Sequence, residues 1–401
     1  MIIILFIPNT FILYFSINQI QIGINSMNLL LAPNAYKEVA NSVIAAELFK
    51  KYLHDERLNI IKKPISDGGD TFLNICKEYY KLKLVTYNIT NSYNDELIHI
   101  QVGYDGINSN LYIESADILG LKTISGNKRN PGEINSKGLG DLLKIIKKEV
   151  DNKSLIVSNV YIGIGGTGTN DLCLGACSRF GLKLYDNDKE LEIKPINYYK
   201  VNRIKWIEQK MPFVIISIVD VNNKLLGNKG ATLTFGKQKG ASDGDLHIIE
   251  KGFNNIINLL KKMGMVDSAD DLSGAGGGLA AGLSIFFNAE VKYANDFILK
   301  DLGFRKIKDN IDYVVTGEGS FDNQSLMEKG TGIIIEEFKD SVKRIFLVCG
   351  IIDKKVKKSL NEKVYCIELQ KYFSSKEESI KNFEKGIELA SKEISNVLNF
   401  E

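Results

Sequence analysis

The chain has 401 residues, of which 44% are hydrophobic and 25% are charged, with a formal net charge of +2. This composition excludes an intrinsically disordered chain, and the length predicts about two domains. The balance of 51 basic and 49 acidic residues argues against a nucleic-acid binder, which relies on a cationic excess, but is compatible with a small anionic ligand.

The cysteines and histidines indicate neither a disulfide framework nor a metal centre. Five scattered cysteines in a chain of this length predict free thiols and therefore a cytoplasmic protein. Cys173 and Cys177 are four residues apart on a predicted helix, but two ligands do not make a structural zinc site. Three histidines in unrelated contexts argue against His-based nucleophile activation.

Residues 1–26 form an apolar N-terminal extension that is not expected to be part of the fold. Residues 1–17 are strongly apolar but contain Pro8, Asn9 and Thr10. They lack a preceding basic residue and a clear cleavage site, as a signal peptide would need, and are short for a membrane span of about 20 residues. We interpret the extension as a start assigned too early, with Met27 as the functional start. A membrane anchor in residues 1–17 is the alternative.

From Met27 onward, short apolar runs alternate with helical patterns, which predicts an α/β fold with sheets covered on both faces. Asn34 is expected to cap a first helix, in which Val39, Val43, Ala46 and Phe49 share one face. Further predicted strands and helices follow in chain order. The predicted strands are 28–32, 111–114, 155–164, 182–185, 213–219, 313–316 and 345–349, and the predicted helices are 136–150, 169–180, 243–263, 279–287 and 376–397.

Acidic residues beside glycines follow several of the predicted strands. Ser66-Asp67-Gly68-Gly69-Asp70 is one such segment, Asp220 ends another strand, and Thr316-Gly317-Glu318-Gly319 follows a third. Each acid alone could simply cap a helix. Because ligands of open α/β sheets bind beyond the carboxyl ends of the strands, three such segments together predict a binding site.

Glycine-rich segments occur at several places along the chain. Gly163-Ile-Gly165-Gly-Thr-Gly168 matches the dinucleotide fingerprint, with Asp186 at about the distance of a ribose-binding acid. This leaves a nicotinamide-dependent dehydrogenase open as an alternative. Further clusters lie at 227–230, 235–241 and 273–278. One dinucleotide site uses one such loop, so several loops favour a cleft lined by backbone amides from two domains.

Phosphoryl transfer is a consistent use for these residues. It needs backbone amides and lysines around phosphates, and carboxylates for Mg²⁺ and for the acceptor hydroxyl. The P-loop sequence and the protein-kinase motifs are absent. The candidate lysines are Lys37, Lys239 and Lys329, and the candidate carboxylates are Asp67, Asp171, Asp220, Glu318 and Asp322.

These blocks, taken in order from Met27 to near the end, resemble the bacterial glycerate kinase (glycerate 2-kinase) family. The order of the blocks is more specific than any single glycine motif. The matching blocks are Ala32-Pro-Asn-Ala-Tyr-Lys37, Ser66 to Asp70, Glu114-Ser-Ala, Gly120-Leu121, Gly165-Gly-Thr-Gly-Thr-Asn-Asp171, Asp220-Val-Asn, Gly230-Ala, Phe235-Gly-Lys-Gln-Lys-Gly-Ala241, Gly274-Ala-Gly-Gly-Gly278, Thr316-Gly-Glu-Gly-Ser-Phe-Asp-Asn-Gln324, Lys329 and Cys349-Gly350.

The resemblance implies two α/β domains. Residues 27–80 and 290–401 would form a flavodoxin-like domain from both chain ends, and residues 81–289 an inserted α/β domain. It also implies ATP-dependent phosphorylation of D-glycerate, usually at the 2-hydroxyl and with Mg²⁺. Whether the product is 2- or 3-phosphoglycerate stays open, as does homo-oligomerisation.

The resemblance also implies roles for the site residues. Asp67 and Asp220 are expected to bind Mg²⁺ or to orient the acceptor hydroxyl, and Lys37 and Lys239 to neutralise anionic charge. Lys37, Asp67, Asp171 and Asp220 are the predicted catalytic residues. The residues expected to bind substrate or phosphate are Gly165, Gly166, Thr167, Thr169, Asn170, Lys239, Gly276, Gly277, Glu318, Asp322 and Lys329.

The chain departs from the family pattern at four positions. Glu38, Thr71 and Glu328 stand where the family usually has glycine, and Lys237 where it usually has proline. A lost glycine matters where the backbone needs a positive φ or approaches a phosphate. A metabolite-binding relative with impaired catalysis is therefore a second alternative, although the retained acids and Asn170-Asp171 argue against it.

Overall fold

The computed structural model describes residues 27–37, 39–69, 71–94, 96–121, 124, 129–220 and 223–399, with the side chains of 327 and 328 left aside. The predicted N-terminal extension, Glu38, Asp70, Val221, Asn222 and the Glu328 side chain therefore lie outside the described residues. Within the described part of the chain, no helix is long and apolar enough to cross a bilayer.

Strands and helices alternate along most of the described chain. The strands are β1 (Met27–Pro33), β2 (Leu58–Lys62), β3 (Lys83–Thr90), β4 (Leu97–Asp105), β5 (Asn110–Glu114), β6 (Asn159–Gly163), β7 (Lys183–Asp186), β8 (Lys189–Leu191), β9 (Arg203–Lys205), β10 (Val214–Val219), β11 (Glu290–Tyr293), β12 (Tyr313–Gly317), β13 (Ser320–Phe321), β14 (Arg344–Cys349), β15 (Ile351–Ile352) and β16 (Val364–Glu368).

Helices connect the strands and cover the sheets. They are α1 (Ser42–Tyr52), α2 (Phe72–Tyr79), α3 (Ser115–Leu119), α4 (Lys137–Asp151), α5 (Leu174–Ser178), α6 (Ala231–Phe235), α7 (Asp243–Lys262), α8 (Ala275–Phe287), α9 (Ala294–Asp296), α10 (Phe304–Ile307), α11 (Asn323–Glu328), α12 (Gly330–Phe338), α13 (Lys354–Ser359), α14 (Lys376–Lys381) and α15 (Phe383–Asn399). Short 3₁₀ segments are Pro195–Lys200, Lys237–Lys239, Lys308–Asn310 and Leu369–Tyr372, and Phe297–Asp301 is a π-helical turn.

The first sheet is parallel and is built from both ends of the chain. Its order is β16-β14-β12-β1-β2, and every neighbouring pair is parallel. Numbered along the chain, this is the 2-1-3-4-5 order of flavodoxin-like sheets, with the topological switch point between β1 and β12. The α/β class and the predicted parallel sheets are therefore confirmed.

The second sheet has the order β11-β10-β6-β5-β4-β3. Strands β5, β6, β10 and β11 are parallel, whereas β3, β4 and β5 are joined as antiparallel neighbours. The sequence pattern did not predict the β3–β4 hairpin. Because β11 pairs in this sheet, the sheet boundary does not coincide with the predicted limit at residue 290. The domain limits themselves stay a prediction.

Three groups of buried side chains hold these layers together. One packs α1 and α15 against the outer face of the first sheet. Another packs the second sheet against α4, α7 and α8. The third contains side chains of both sheets, including Leu30 and Val314 from the first and Tyr112 and Ile216 from the second. This shared core fixes the relative position of the two carboxyl edges, where the predicted site residues lie.

Three local predictions are wrong. The helix predicted over 169–180 is present only as α5 (Leu174–Ser178). Leu172 and Cys173 have positive φ values of 52° and 61°, which are incompatible with an α-helix. Helix 376–397 is two helices, α14 and α15. Asn34 does not cap the first helix, which begins at Ser42 with Asn41 as its cap.

Candidate active site

A glycine turn brings together two acids that follow strands of different sheets. Asp67 lies in the turn after β2, and Asp220 directly follows β10. Gly68 has a φ of +90°, and a Cβ there would lie 2.8 Å from the carbonyl oxygen of Ile218 in β10. Only glycine satisfies both conditions. The turn therefore packs on the end of β10 and places the Asp67 carboxylate beside Asp220.

The acids influence one another electrostatically. Burial and the negative charge of Asp67 raise the pKa of Asp220 to about 6, while Lys329 and Lys37 act in the opposite direction. Burial and Asp67 likewise raise the pKa of Glu318 to about 7, again opposed by Lys329. Carboxyl groups shifted towards neutral pH in a cleft are typical of functional sites. Asp67, Asp220 and Glu318 therefore share one electrostatic environment with two lysines.

Asn34 at the end of β1 orients Asp67. Its side-chain amide donates a hydrogen bond of 3.1 Å to Oδ2 of Asp67, and its Oδ1 accepts one of 2.8 Å from the backbone N–H of Ala35. Sequence reasoning assigned Asn34 to a helix cap and so missed this role. Its position directly after the first buried strand was the available signal.

One cavity beside these acids is lined by glycine-rich loops, and we call it the glycine cavity. It has a volume of about 370 Å³. The loop after β6 and the start of α8 form much of its wall, where Gly276 and Gly277 have φ values of 66° and 70°. The lining residues are Lys37, Leu121, Ile164, Gly165, Gly166, Thr167, Asp220, Phe235, Gln238, Lys239, Gly276, Gly277, Gln324 and Lys329.

Lys239 supplies a buried cation to the wall of the glycine cavity. Only 4% of its surface is exposed, and its Nζ donates hydrogen bonds of 2.7 Å to the Thr169 carbonyl and 3.4 Å to Oγ1 of Thr167. Burial lowers the pKa of Lys239 to about 8, while Asp171 raises it. Because these hydrogen bonds already fix the Lys239 side chain, it loses little conformational entropy when it binds an anion.

A second cavity of about 370 Å³ lies at the carboxyl edge of the first sheet, and we call it the apolar cavity. Lys37 and Lys329 line both this cavity and the glycine cavity, so the two are neighbours in one cleft. Its lining residues are Ala35, Tyr36, Lys37, Val39, Glu318, Gly319, Ser320, Asp322, Lys329, Gly350, Ile351, Leu369, Gln370, Lys376, Ser379, Ile380 and Phe383.

A third and larger cavity of about 910 Å³ shares Asp220 with the glycine cavity. It lies between the end of β10, the start of α9 and helix α12. Two of its cations, Arg305 and Lys308, are already paired with Glu337 at 3.7 and 3.4 Å. This cavity therefore offers less uncompensated positive charge than the cleft around Lys37 and Lys329.

Several predicted site residues lie behind the cavity walls. Asp171 is fully buried, and its Oδ2 accepts hydrogen bonds from the backbone N–H and hydroxyl of Ser136 and from the N–H of Gly175, at 2.7–3.0 Å. Burial raises its pKa. Asn170 donates to Oγ1 of Thr232 at 3.0 Å, and Thr169 is fully buried. The structure thus places these residues where they support the glycine-cavity loop and not with the other acids.

Asp322 has a structural contact in addition to its place beside the apolar cavity. Its Oδ1 accepts hydrogen bonds of 2.9 and 3.0 Å from the backbone N–H groups of Gln324 and Ser325, which caps α11. The cavities are lined by most of the remaining predicted residues: Lys37, Asp220, Glu318, Lys329, Lys239 and the glycine-loop positions 165–167 and 276–277. Asp67 does not line these cavities but acts electrostatically on Asp220 and Glu318.

The dinucleotide fingerprint is not realised. The loop after β6 leads into α5, which has five residues, rather than a long helix with its N-terminus at the loop. Asp186 ends β7 in a separate three-stranded antiparallel sheet, β8-β7-β9. Its carboxylate accepts hydrogen bonds from Asn187 and Asn202 at 3.2 and 3.3 Å. A ribose-binding acid would end the strand next to β6 in the same parallel sheet.

The residues present fit a magnesium ion that is shared with phosphate. Among the described residues, no group of three His, Cys, Asp or Glu side chains is arranged to enclose a metal. Mg²⁺ in phosphoryl-transfer sites is usually held by one or two carboxylates together with phosphate oxygens and water. Asp67 supplies a carboxylate for such an ion. Burial and the negative charge of Asp67 raise the pKa of the neighbouring Asp220, so a cation bound here would relieve the repulsion between the two carboxylates.

The apolar wall of the cleft was missed by sequence reasoning. Val39, Ile351, Ile380 and Phe383 all line the apolar cavity. Ile380 and Phe383 lie in the segment 353–398, which is rich in lysine and glutamate. The signal that could have been used is the spacing of Leu369, Ile380 and Phe383 within that charged segment.

Comparison with known proteins places this geometry in a family. The model of the glycerate kinase family matches residues 29–399. A glycerate kinase of Neisseria meningitidis serogroup B is 26% identical over 381 residues, covering 93% of this chain and 99% of that protein. A glycerate 2-kinase of Escherichia coli K12 is 28% identical over 314 residues, covering 76% of this chain and 80% of that protein.

A solved structure has the same fold. The chain resembles a crystal structure described as a glycerate kinase 2 from Salmonella typhimurium LT2, with a TM-score of 0.70 and 23% identity. The match covers 94% of this chain and 99% of that one. At this identity the match shows a shared fold over nearly the whole chain.

Proposed function

The chain belongs to the glycerate kinase family, and on this premise we propose that it transfers the γ-phosphoryl group of ATP to D-glycerate in the cleft between the two sheets. The product is expected to be 2-phosphoglycerate. The proposal rests mainly on one observation: Asp67, Asp220 and Glu318 share an electrostatic environment with Lys37 and Lys329. Phosphoryl transfer uses carboxylates to bind the cation and to orient the acceptor, and lysines to neutralise phosphate charge.

In the proposed reaction, the acceptor hydroxyl oxygen forms a bond to the γ-phosphorus while the bond from that phosphorus to the β–γ bridging oxygen breaks. ADP carries away the electron pair of the broken bond. Asp220 lines the glycine cavity, so its carboxylate can accept the hydroxyl proton. A carboxyl group with a pKa of about 6 is better matched to this task near neutral pH than an ordinary aspartate.

The lysines and backbone amides have a separate task. Lys37 and Lys329 neutralise phosphate charge where the two cavities meet. Lys239, together with the loop at Gly165 to Thr167, binds the carboxylate of glycerate. Asp67 would hold Mg²⁺ close to Asp220, and the ion when bound neutralises charge on the transferred phosphoryl group. The chain itself contributes position and fixed charge, which is most of what this reaction needs.

The test is an assay of ADP release with ATP, Mg²⁺ and D-glycerate. We expect ADP release to depend on D-glycerate and on Mg²⁺. Release that is independent of glycerate, from folded protein, would contradict the proposal. A titration with NADH addresses the dehydrogenase alternative, and we expect no change in fluorescence.

We also propose a cytoplasmic location. All five cysteines are free thiols, and Cys76, Cys173, Cys177 and Cys349 are buried. Unpaired buried cysteines are usual in a reducing compartment, where disulfides do not persist. ATP is abundant in the same compartment, which is consistent with a kinase.

A further inference from the structure

We propose that the two cavities of the cleft divide the substrates between them. The apolar cavity takes the adenosine part of the nucleotide, and the glycine cavity takes the three-carbon acid. The phosphate chain then crosses from one to the other over Lys37 and Lys329. This assignment rests on the proposed function, because it presumes a nucleotide and a small hydroxy acid as the two ligands.

The apolar cavity has the surface that a purine needs. Its apolar contacts come from Val39, Ile351, Leu369, Ile380 and Phe383. Purine-binding sites combine apolar side chains against the faces of the ring with a few polar groups at its edge. Gln370 and Ser379 lie in the same wall and can provide such polar contacts.

One aromatic pair makes this wall rigid. The rings of Tyr36 and Phe383 lie 4.8 Å apart between centroids. The Tyr36 hydroxyl donates a hydrogen bond of 2.7 Å to the carbonyl of Val348, and Tyr36 itself is only 1% exposed. Because the pair is already ordered before a ligand arrives, little conformational entropy is lost on binding.

The glycine cavity is chemically different. Its walls carry the buried cation Lys239, the Thr167 hydroxyl and the backbone of Gly165, Gly166 and Gly277. A compact acid with one carboxylate and two hydroxyl groups can satisfy such polar groups. An adenine ring would instead leave the Lys239 ammonium with only the neutral oxygens of Thr167 and Thr169 as direct contacts, whereas a carboxylate would compensate its buried charge.

The two lysines that line both cavities support this order. A nucleotide whose base lies in the apolar cavity extends its phosphates towards Lys37 and Lys329. The terminal phosphate then lies at the end of the cleft where Asp220 lines the glycine cavity. The reverse order would place the small acid beside Glu318, Asp322 and the apolar side chains of the apolar cavity, and the base beside the Lys239 ammonium.

The fold gives an independent reason for the assignment. The apolar cavity lies beyond the carboxyl ends of β1, β12 and β14, where Ala35, Glu318 and Gly350 follow these strands. The switch point between β1 and β12 is the place at which doubly wound sheets bind their ligands. The apolar cavity therefore lies at the edge of the first sheet where a ligand is expected.

The experiment uses Ile380, which lines the apolar cavity and is 40% exposed, so a polar replacement does not disturb the core. Ile380→Glu places a negative charge and a polar group where the base would lie. The matched control is Ile156→Glu at a residue that is 71% exposed and is not part of any of the three cavities. Affinity is measured by titrating a fluorescent N-methylanthraniloyl-ADP into the full chain without glycerate, and folding by thermal denaturation.

We expect Ile380→Glu to weaken binding of the fluorescent ADP and to raise KM for ATP by about tenfold or more, with KM for glycerate within about twofold. Ile156→Glu should match the unchanged protein. Ile380→Asn, which adds no charge, should still lose about threefold in ADP affinity. If Ile380→Asn bound ADP as tightly as the unchanged protein, the effect of Ile380→Glu would come only from repulsion between its carboxylate and the phosphates. The proposed contact between Ile380 and the base would then be wrong.

Other outcomes separate this assignment from the proposed function. If Ile380→Glu raises KM for glycerate but leaves ADP affinity unchanged, the order of the cavities is reversed. If neither changes, the nucleotide binds elsewhere, and the assignment is wrong. If the unchanged protein does not phosphorylate glycerate but Ile380→Glu loses ADP binding, the nucleotide assignment holds and the proposed acceptor is wrong.

Discussion

The carboxylates of Asp67 and Asp220 follow strands of different sheets, yet they lie close enough that burial and the charge of Asp67 together raise the pKa of Asp220 to about 6. The contact depends on Gly68, whose approach to Ile218 joins the two carboxyl edges. Two like charges held together in this way destabilise the fold by themselves. A bound cation, or protonation of one carboxylate, would reduce the repulsion between them.

Asp220→Asn should lose activity and gain stability. Turnover should fall by about 10²–10⁴-fold, because a positioned charge and proton acceptor is removed. The measurement is the rate of ADP release, with Asp186→Asn as a control at an acid outside the cleft. Unchanged turnover in folded Asp220→Asn would remove Asp220 from the site.

The stability of the same variant should depend on pH. The folded pKa of about 6 lies above the ordinary value of 3.8, so ionised Asp220 destabilises the folded state above pH 6. Asp220→Asn should therefore be more stable at pH 7–8, by about 1–3 kcal/mol, and the gain should vanish towards pH 4. Urea denaturation at several pH values measures this, and a gain that persists at pH 4 would contradict the account.

Deprotonation of Lys239 should lower kcat/KM for glycerate at high pH. Burial lowers its pKa to about 8, so the charged fraction, and with it kcat/KM for glycerate, should fall as pH rises through about 8. Lys239→Arg should move this decrease to higher pH, since arginine stays charged. Lys237→Arg, at an exposed lysine paired with Asp243, is the control and should keep the profile of the unchanged protein.

Gly277→Ala and Gly264→Ala form a matched pair for the glycine cavity. Both positions have a φ near +70°, but a Cβ at Gly277 would lie 2.3 Å from the Thr169 carbonyl oxygen, whereas Gly264 has nothing within 4 Å. Gly264→Ala should cost about 1 kcal/mol for its φ alone. Gly277→Ala should cost about 2–4 kcal/mol and should raise KM for glycerate. If urea denaturation gave equal losses of unfolding free energy for the two variants, the short distance between residue 277 and the Thr169 carbonyl would not matter for stability.

Thr71→Gly should stabilise the protein. Thr71 adopts a φ of 75°, a strained conformation for a β-branched residue, at a position where the family usually has glycine. Its backbone N–H donates to Glu114 at 3.1 Å, which keeps the strained turn in place. We expect a gain of about 0.5–1.5 kcal/mol in the free energy of unfolding. Thr71→Ala keeps a Cβ, so its gain in the free energy of unfolding should be smaller. A loss of stability in Thr71→Gly would show that Thr71 is not strained.

The sequence predicted the features that depend on local pattern. The buried parallel strands, such as β12 and β14, are continuous apolar runs of the kind that a doubly covered sheet needs. The acids and glycines at their ends, including Asp220 and Glu318, follow from the rule for carboxyl edges. These residues do meet around one cleft.

Features that depend on packing between distant parts of the chain could not be predicted from the local sequence. The segment after Thr169 reads as a helix, but positive φ values at Leu172 and Cys173 end it, because α8 packs against this backbone where Gly282 approaches Leu172 closely. Asp171 reads as a site acid but is enclosed by Ser136 and Gly175. Neither contact leaves a signal in the neighbouring sequence, since the partners are distant along the chain.

The most direct measurement is identification of the product. The protein is incubated with ATP, Mg²⁺ and D-glycerate, and the mixture is analysed by ³¹P and ¹H NMR. We predict one new phosphate monoester on the 2-carbon of glycerate, formed in equal amount to ADP and absent with Asp220→Asn. Folded protein that binds ATP yet forms no phosphorylated glycerate would contradict the account.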